Sequence, residues 1–351
     1  MFNPQYKLTN KIVALLTAIA ESKAVVERAK ILPQNEIKLR RQALIRMSHS
    51  STEIEGNRLN LKQVEALVAH KKIDAPMRDI YEVENYLKAL KYIDQFVQKK
   101  KPITEKTLLK IHELVTDKTL PKEQFGHYRM GPIFVVRQRF GLPYETVYTG
   151  PGTKDVPCLC SDFIEWLQES EKENINPVIV AGIAHLEIAA IHPFNDGNGR
   201  TARAMATLIL YQRGYDFRRL FALEDYYNKE RAKYYTAINV GKNYQERKTD
   251  ITSWLEYFVK GFKEEIDNVK AQVISLSLKK INDDMESKIY LDKDQLKLLD
   301  FLDQVGRITA KDAIDVLNCP KRTVQLKLSQ LKKLGIIIQI GKGPSSAYIL
   351  R

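Results

Sequence analysis

Apolar residues recur at i, i+3, i+4 and i+7 along most of this 351-residue chain, the spacing that gathers them on one face of an α-helix. KIVALLTAIAESKAVVERAKIL, IYEVENYLKALKYIDQFV, TEKTLLKIHELV and VPCLCSDFIEWLQES all follow it. PVIVAGIAHLEIAAI, Pro177 to Ile191, is apolar nearly all round and predicts a central buried helix started by its proline. TARAMATLILYQRG predicts a second core helix stopped by Gly214. One segment breaks the helical rule. MGPIFVVRQRFGLPYETVYTGPG is β-branched and aromatic, punctuated by glycine and proline, and predicts a hairpin or flap. The expected fold class is therefore all-α with a small β-hairpin.

A charged stretch near LSLKKINDDMESK marks a boundary. Beyond it, DKDQLKLLDFLDQVG, TAKDAIDVL and PKRTVQLKLSQLKKLG predict three short amphipathic helices. IIIQIGKGPSSAYIL predicts two strands around a glycine-rich tip. Three helices and a hairpin resemble a winged helix-turn-helix domain. Its third helix carries Lys321, Arg322, Lys327, Lys332 and Lys333 without an acid, with Thr323 and Gln325 placed to meet bases and Lys342 at the wing tip. DNA is one expected partner. A protein, or a second copy of the chain in a homodimer, is the other.

Composition narrows the class. The chain is 44% hydrophobic and 28% charged, as a soluble protein with a sizeable core is. A net charge of +13 favours anionic partners. Cys158, Cys160 and Cys319 form no CxxC pair and no disulfide framework, which points to a reducing compartment. The opening MFNPQYKLTNKIVALL lacks the basic-then-apolar order of a signal peptide, and no window is apolar for long enough to span a membrane. A cytoplasmic location is expected.

The chemistry concentrates in HPFNDGNGRTAR, His192 to Arg203, between the two predicted core helices. Pro193 should end the first helix at His192. Gly197 and Gly199 permit a tight turn and close approach of a ligand. The loop then enters a helix N-terminus, where unpaired amides and the dipole attract anions. Arg200 and Arg203 share a helix face on which guanidinium forks can grip phosphate. Asp196 suits Mg2+ that accompanies a polyphosphate. His192 titrates near neutrality and can take a proton from an attacking hydroxyl. Together these parts describe phosphoryl or nucleotidyl transfer. A G-x-x-x-x-G-K-[ST] loop is absent, and His185, Glu187 and His192 lack the spacing of a zinc pair, so His185 is expected to be a core histidine.

HPFNDGNGRTAR matches HPFx[DE]GNGRxxR, the signature of the Fic family, at every specified position. The resemblance extends over roughly residues 1–265. It implies transfer of AMP from ATP to a Ser, Thr or Tyr hydroxyl of a target protein. His192 would be the base and Asp196 the Mg2+ ligand. Amides of Gly197, Asn198 and Gly199 would cradle the α- and β-phosphates, Arg200 and Arg203 would hold the β- and γ-phosphates, and Phe194 would anchor the loop.

Two further stretches gain meaning from that resemblance. SSTEIEGN, Ser50 to Asn57, otherwise reads as a helix end closed by Gly56 with Glu53 and Glu55 solvated. Ser51, Glu55 and Gly56 resemble the family's inhibitory pattern [ST]xxxE[GN], which implies that Glu55 pairs with Arg203 and takes the place of the γ-phosphate. Glu53, on another face, is expected to matter little. Thr146, Val147 and Tyr148 in the flap would pair with an extended target segment. Tyr234 and Tyr235 in RAKYYTAINVGKN would contact adenine, with Lys242 and Asn243 competing for the place of a family asparagine.

The resulting plan is an N-terminal helical region carrying the inhibitory stretch over 1–100, a catalytic core over 101–265, a connector over 266–287 and the winged domain over 288–351. Transfer of another nucleotide, phosphate or phosphocholine on the same loop is the rival chemistry. A DNA-binding regulator with a sensory enzyme domain is the rival of another class.

Overall fold

The apolar run at 177–191 becomes the helix around which much of the chain packs, since a helix apolar on all sides gains by burial on every side. The computed structural model describes residues 2–137, 145–247, 249–282, 291–341 and 346–350. In chain order the first helices are α1 (Asn10–Arg28), α2 (Pro33–Ile54), α3 (Leu61–Val68), α4 (Met77–Gln98) and α5 (Glu105–Thr116). Two strands follow, β1 (Phe134–Arg137) and β2 (Glu145–Thr149), within the predicted flap. Then come α6 (Val156–Lys172), α7 (Pro177–Ile191), α8 (Asn198–Gln212), α9 (Leu223–Lys229), α10 (Arg231–Ile238), α11 (Tyr244–Arg247) and α12 (Thr252–Asn282). The last elements are α13 (Lys293–Val305), β3 (Ile308–Thr309), α14 (Ala310–Leu317), α15 (Lys321–Lys333), β4 (Ile337–Ile340) and β5 (Ala347–Leu350). No helix among the described residues is long and apolar enough to cross a membrane.

The chain divides into two compact units, Met1–Arg28 with Gln42–Ala271, and Ala29–Arg41 with Gln272–Arg351. This partition differs from the sequence plan, because residues 29–41 group with the C-terminal unit. In the first unit, Pro177 starts α7 and the Asn176 side chain accepts from Val178 N at 2.9 Å, so an otherwise apolar helix has a polar start. α7 packs most extensively on α8, and α8 also meets α4 and α5. Trp254 of α12 donates to Gly182 O at 2.7 Å, joining α12 to the central helix. The flap is an antiparallel pair whose register shifts between Val135 and Val136, leaving Val147 as the extra residue on β2. Its tip, including Tyr144, lies outside the described residues.

In the second unit, α13, α14 and α15 surround Leu298, Leu302, Val324, Leu328 and Leu331, with Ile37 of α2 packed against them. The three predicted helices are present, and a strand missing from the sequence reading, β3, joins the hairpin in a sheet of order β3-β5-β4. The Asp292 side chain caps α13 by accepting from Asp294 and Gln295 amides. Lys342 lies outside the described residues.

Candidate functional site

His192 ends α7 in a left-handed conformation, φ 50° and ψ 57°, which turns the chain away from the helix at the residue before proline. Its Nδ1 is 3.2 Å from Ala189 O. A carbonyl can only accept, so Nδ1 carries the proton and Nε2 keeps its lone pair. Burial, with Arg247 and Arg129 nearby and against the contact with Ala189, lowers its pKa to about 4. At neutral pH the ring is an unprotonated base.

The loop after His192 is closed by its own residues. Asn198 accepts from Phe194 N at 2.9 Å and donates to Phe194 O at 2.8 Å. Phe194 is fully buried, with His112 stacked on it at 3.6 Å between centroids. His112 Nδ1 accepts from Gly126 N, which leaves Nε2 to donate to Asp196 O at 3.0 Å. Burial lowers the His112 pKa to about 4 and keeps this tautomer neutral. His112 therefore carries the loop from α5, a role the sequence reading did not assign.

Helix α8 begins with no side-chain cap, and Gly197 takes φ 78° at its N-cap. An added Cβ there would stand 2.6 Å from Thr116 Cγ2, so glycine is required by both conformation and space. The first amides of the helix have no intrahelical partner, as at any helix N-terminus, and such amides suit an anion. Arg200 and Arg203 are both buried, and among the described residues Arg200 Nε and Arg203 Nη1 have no hydrogen-bond partner. Buried cationic N–H groups without acceptors beside a helix N-terminus fit a polyphosphate. Asp196 is gripped by Arg78 at 3.3 Å, Arg200 at 3.4 Å and Gly197 N at 2.6 Å. No group of three or more metal-ligating side chains occurs among the described residues. Asp196 thus fits Mg2+ only as one ligand beside phosphate oxygens.

The end of α2 lies against this cradle. Arg203 donates through Nε to Ser51 Oγ at 2.9 Å and through Nη2 to Ser51 O at 2.8 Å and Glu55 Oε1 at 2.6 Å. Burial works against the Arg203 charge, and Glu55 with Tyr234 and Tyr86 together outweigh it, so its pKa is raised. Gly56 closes the turn with φ 96°. Glu53 corrects the expectation of a solvated carboxylate. It accepts from Asn228 Nδ2 and pairs with Arg231 at 3.3 Å, fastening the same turn to α9 and α10. Ser50 adds a bond to Asp225 at 2.6 Å, and Tyr235 donates to Ile54 O at 3.0 Å.

The flap residues divide. Thr146 is exposed and Val147 half-buried, whereas the Tyr148 side chain is buried and donates to Ala190 O at 2.6 Å. Tyr148 thus offers a partner only backbone, while its ring anchors β2 to α7. Tyr234 is also a core residue: it is 2% exposed, bonded to His185 at 2.9 Å and stacked on Tyr227. Of the two expected adenine contacts, Tyr234 is thus packed in the core, whereas Tyr235 is 44% exposed. His185 is buried, as expected of a core histidine. Asn243 bridges to Thr149 and Lys242 O accepts from Thr149 N at 2.9 Å, so this segment lines the flap. In the C-terminal unit, Lys321, Arg322 and Gln325 are exposed on α15. Lys327 is turned inward to Asp292 and Asp294, contrary to its expected place on a DNA-facing surface.

Comparison with known proteins falls on the same residues. Residues 102–210 match the Fic/DOC family model. The protein adenylyltransferase Fic of Nematostella vectensis is 30% identical over 191 residues, 52% of this chain and 42% of that protein. That of Drosophila ananassae is 30% identical over 202 residues, 57% of this chain and 36% of that protein. The chain thus spans well under two thirds of these relatives' length. The crystal structure of a Fic family protein from Desulfovibrio desulfuricans G20 is similar in fold, with a TM-score of 0.63 at 24% identity over 100% of this chain and 98% of that one. Loop, surrounding helices and matched segment coincide, and residues 102–210 are a Fic domain.

Proposed function

We propose that the protein transfers AMP from MgATP to a Ser, Thr or Tyr hydroxyl of a target protein, and that Glu55 restrains it. The observation that carries this reading is the unprotonated His192 beside a helix N-terminus flanked by buried, incompletely bonded Arg200 and Arg203. His192 Nε2 takes the hydroxyl proton as the oxygen attacks the α-phosphorus. The bond from that phosphorus to the bridging oxygen breaks, and pyrophosphate leaves. Amides of Asn198 and Gly199 with Arg200 and Arg203 hold the phosphates in line, where a displacement of about an ångström costs roughly a hundredfold in rate. Asp196 would hold Mg2+, which neutralises phosphate charge when bound. Thr146 and Val147 present an edge for an extended target segment, and Tyr235 borders the base. We place the protein in the cytoplasm, where its three free cysteines stay reduced.

The test compares ATP labelled at the α- and γ-phosphates in a Glu55→Gly background. Adenylyl transfer incorporates the α-label alone, and His192→Ala removes it by about a hundred- to ten-thousandfold with ATP binding kept. Incorporation of the γ-label overturns the reading. A second function rests on exposed Lys321, Arg322 and Gln325 of α15: we read the C-terminal unit as a winged helix-turn-helix that binds DNA.

A further inference from the structure

His192 occupies a left-handed backbone conformation that is unfavourable for a non-glycine residue and persists only where its surroundings hold it. Its own helix satisfies its amide through Ile188 O. Beyond that point the bend is held by Arg129. The Arg129 Nε donates to His192 O at 2.9 Å, and its backbone amide donates to Pro193 O at 2.9 Å. One residue grips two successive carbonyls of the turn that carries the base.

The rest of the same guanidinium points to the hairpin. Arg129 Nη1 donates to Gly131 O at 2.8 Å and Thr153 Oγ1 at 3.1 Å, and Nη2 donates to Pro151 O at 2.6 Å. Gly131 precedes β1 and Pro151 follows β2, so these contacts hold both feet of the flap. The feet are also joined to each other by Gly150 N to Ile133 O at 3.1 Å. Arg129 is 2% exposed, and its side-chain acceptors are three carbonyls and a hydroxyl. A planar fork serves such diverging acceptors, whereas the ammonium of lysine is a single point.

We infer that Arg129 is a positioning residue that locks the feet of the flap to the backbone of His192, so that a segment docked on the flap presents its hydroxyl in register with the imidazole. This inference rests on the adenylyl-transfer reading. It separates two acceptors. A protein hydroxyl depends on flap and base moving together, whereas water reaches the α-phosphorus without the flap.

The experiment uses the full chain with Glu55→Gly, adding Arg129→Gln or Arg129→Lys, and measures α-label transfer to protein, free AMP release and ATP KM. Transfer to protein is expected to fall at least about tenfold in kcat with ATP KM within about twofold. Free AMP release should persist, and lysine should not rescue. Parallel loss of transfer and hydrolysis, a rise in KM alone, or rescue by lysine would overturn the role. If Arg129→Gln does not fold, Thr153→Val removes one foot contact and should shift the same ratio by a smaller factor; an unchanged ratio counts against the lock. An inactive Glu55→Gly parent would defeat adenylyl transfer instead. Hydrogen exchange then tests Arg129 alone. Arg129→Gln should speed exchange at 130–133 and 192–197 together, and unchanged exchange overturns the lock.

Discussion

Glu55 Oε1 accepts a hydrogen bond from Arg203 Nη2 at 2.6 Å, and a Cβ added to Gly199 would overlap that same oxygen. One carboxylate therefore engages the guanidinium and covers the amide terminus of α8. On the function proposed, a γ-phosphate would compete with Glu55 for the same cation and the same space, and the phosphate would bring more charge and more acceptor oxygens. Arg203 Nη1 is still without a partner among the described residues, which leaves a donor for a phosphate oxygen in that proposal.

Glu55→Gly should raise α-label incorporation by about ten- to a hundredfold, as in-line placement is regained. It also leaves Arg203 buried without its carboxylate, which destabilises the free protein. MgATP should restore that loss, so the rise in Tm on adding MgATP should be larger than in the parent. Adding His192→Ala should abolish transfer but keep the Tm response. Equal incorporation by Glu55→Gly and the parent, with folding and ATP binding intact, would defeat autoinhibition.

Glu53→Ala should also release activity, by a few-fold. Its contacts with Asn228 and Arg231 hold the turn that carries Glu55, and removing them frees that turn without vacating the Arg203 pair. Exposed and partly exposed ion pairs contribute about 0–1 kcal/mol each, which sets the scale. Arg231→Ala should have a similar effect. Incorporation unchanged in both variants, measured with α-labelled ATP, would show that the clamp does not hold the inhibitory turn.

The parts of the site that could be read from sequence are those whose geometry is local. Pro193 after His192, glycine at 197 and 199, and arginines three apart fix a helix end, a turn and a helix face within a dozen residues. His112 and Arg129 escaped because they act on carbonyls 84 and 63 residues away, and a backbone carbonyl leaves no signature in sequence. Glu53 looked solvated for a similar reason: its partner Asn228 lies 175 residues downstream. Tyr234 and Tyr235 are adjacent, so a helix must send them in different directions, and only one could remain at the surface. Lys327 was within reach of pattern reading. It lies three after Val324 and four before Leu331, both fully buried, which places its stem beside the buried face. Counting charge alone hid that. The hairpin was visible because β-branched runs between glycines and prolines have no helical alternative of comparable quality.

Acid should destabilise the protein as pH falls from about 6.5 toward 4. His112 and His192 each have a native pKa lowered to about 4, below the ordinary 6.5. Between those values the unfolded chain binds more protons than the folded one, so stability is complete above 6.5 and is lost on the way down. For fully buried His112 the contribution is on the order of 3 kcal/mol. Tm measured from pH 7.5 to 4.5 should decline through this window, and NMR should show both imidazoles still neutral at pH 5.5. A flat Tm with rings titrating near 6.5 would refute it. Because His192 stays neutral there, loss of base catalysis should begin only as pH approaches 4.

The basic residues of α15 should separate into two classes. Lys321 and Arg322 are exposed at its start, while Lys327 pairs with Asp292 and Asp294 on the neighbouring helix α13. If the unit binds DNA, Lys321→Ala with Arg322→Ala should weaken binding and flatten its dependence on salt, since a phosphate that no cation neutralises keeps its condensed counterion. Lys327→Ala should leave affinity and salt slope near their original values. It should instead lower Tm, because Asp292 caps α13 and loses its cation. Fluorescence anisotropy with duplex DNA at several salt concentrations, beside thermal unfolding, distinguishes them. Salt-insensitive binding, or a Lys327→Ala effect on affinity as large as that of the exposed pair, would reject α15 as the DNA-facing surface.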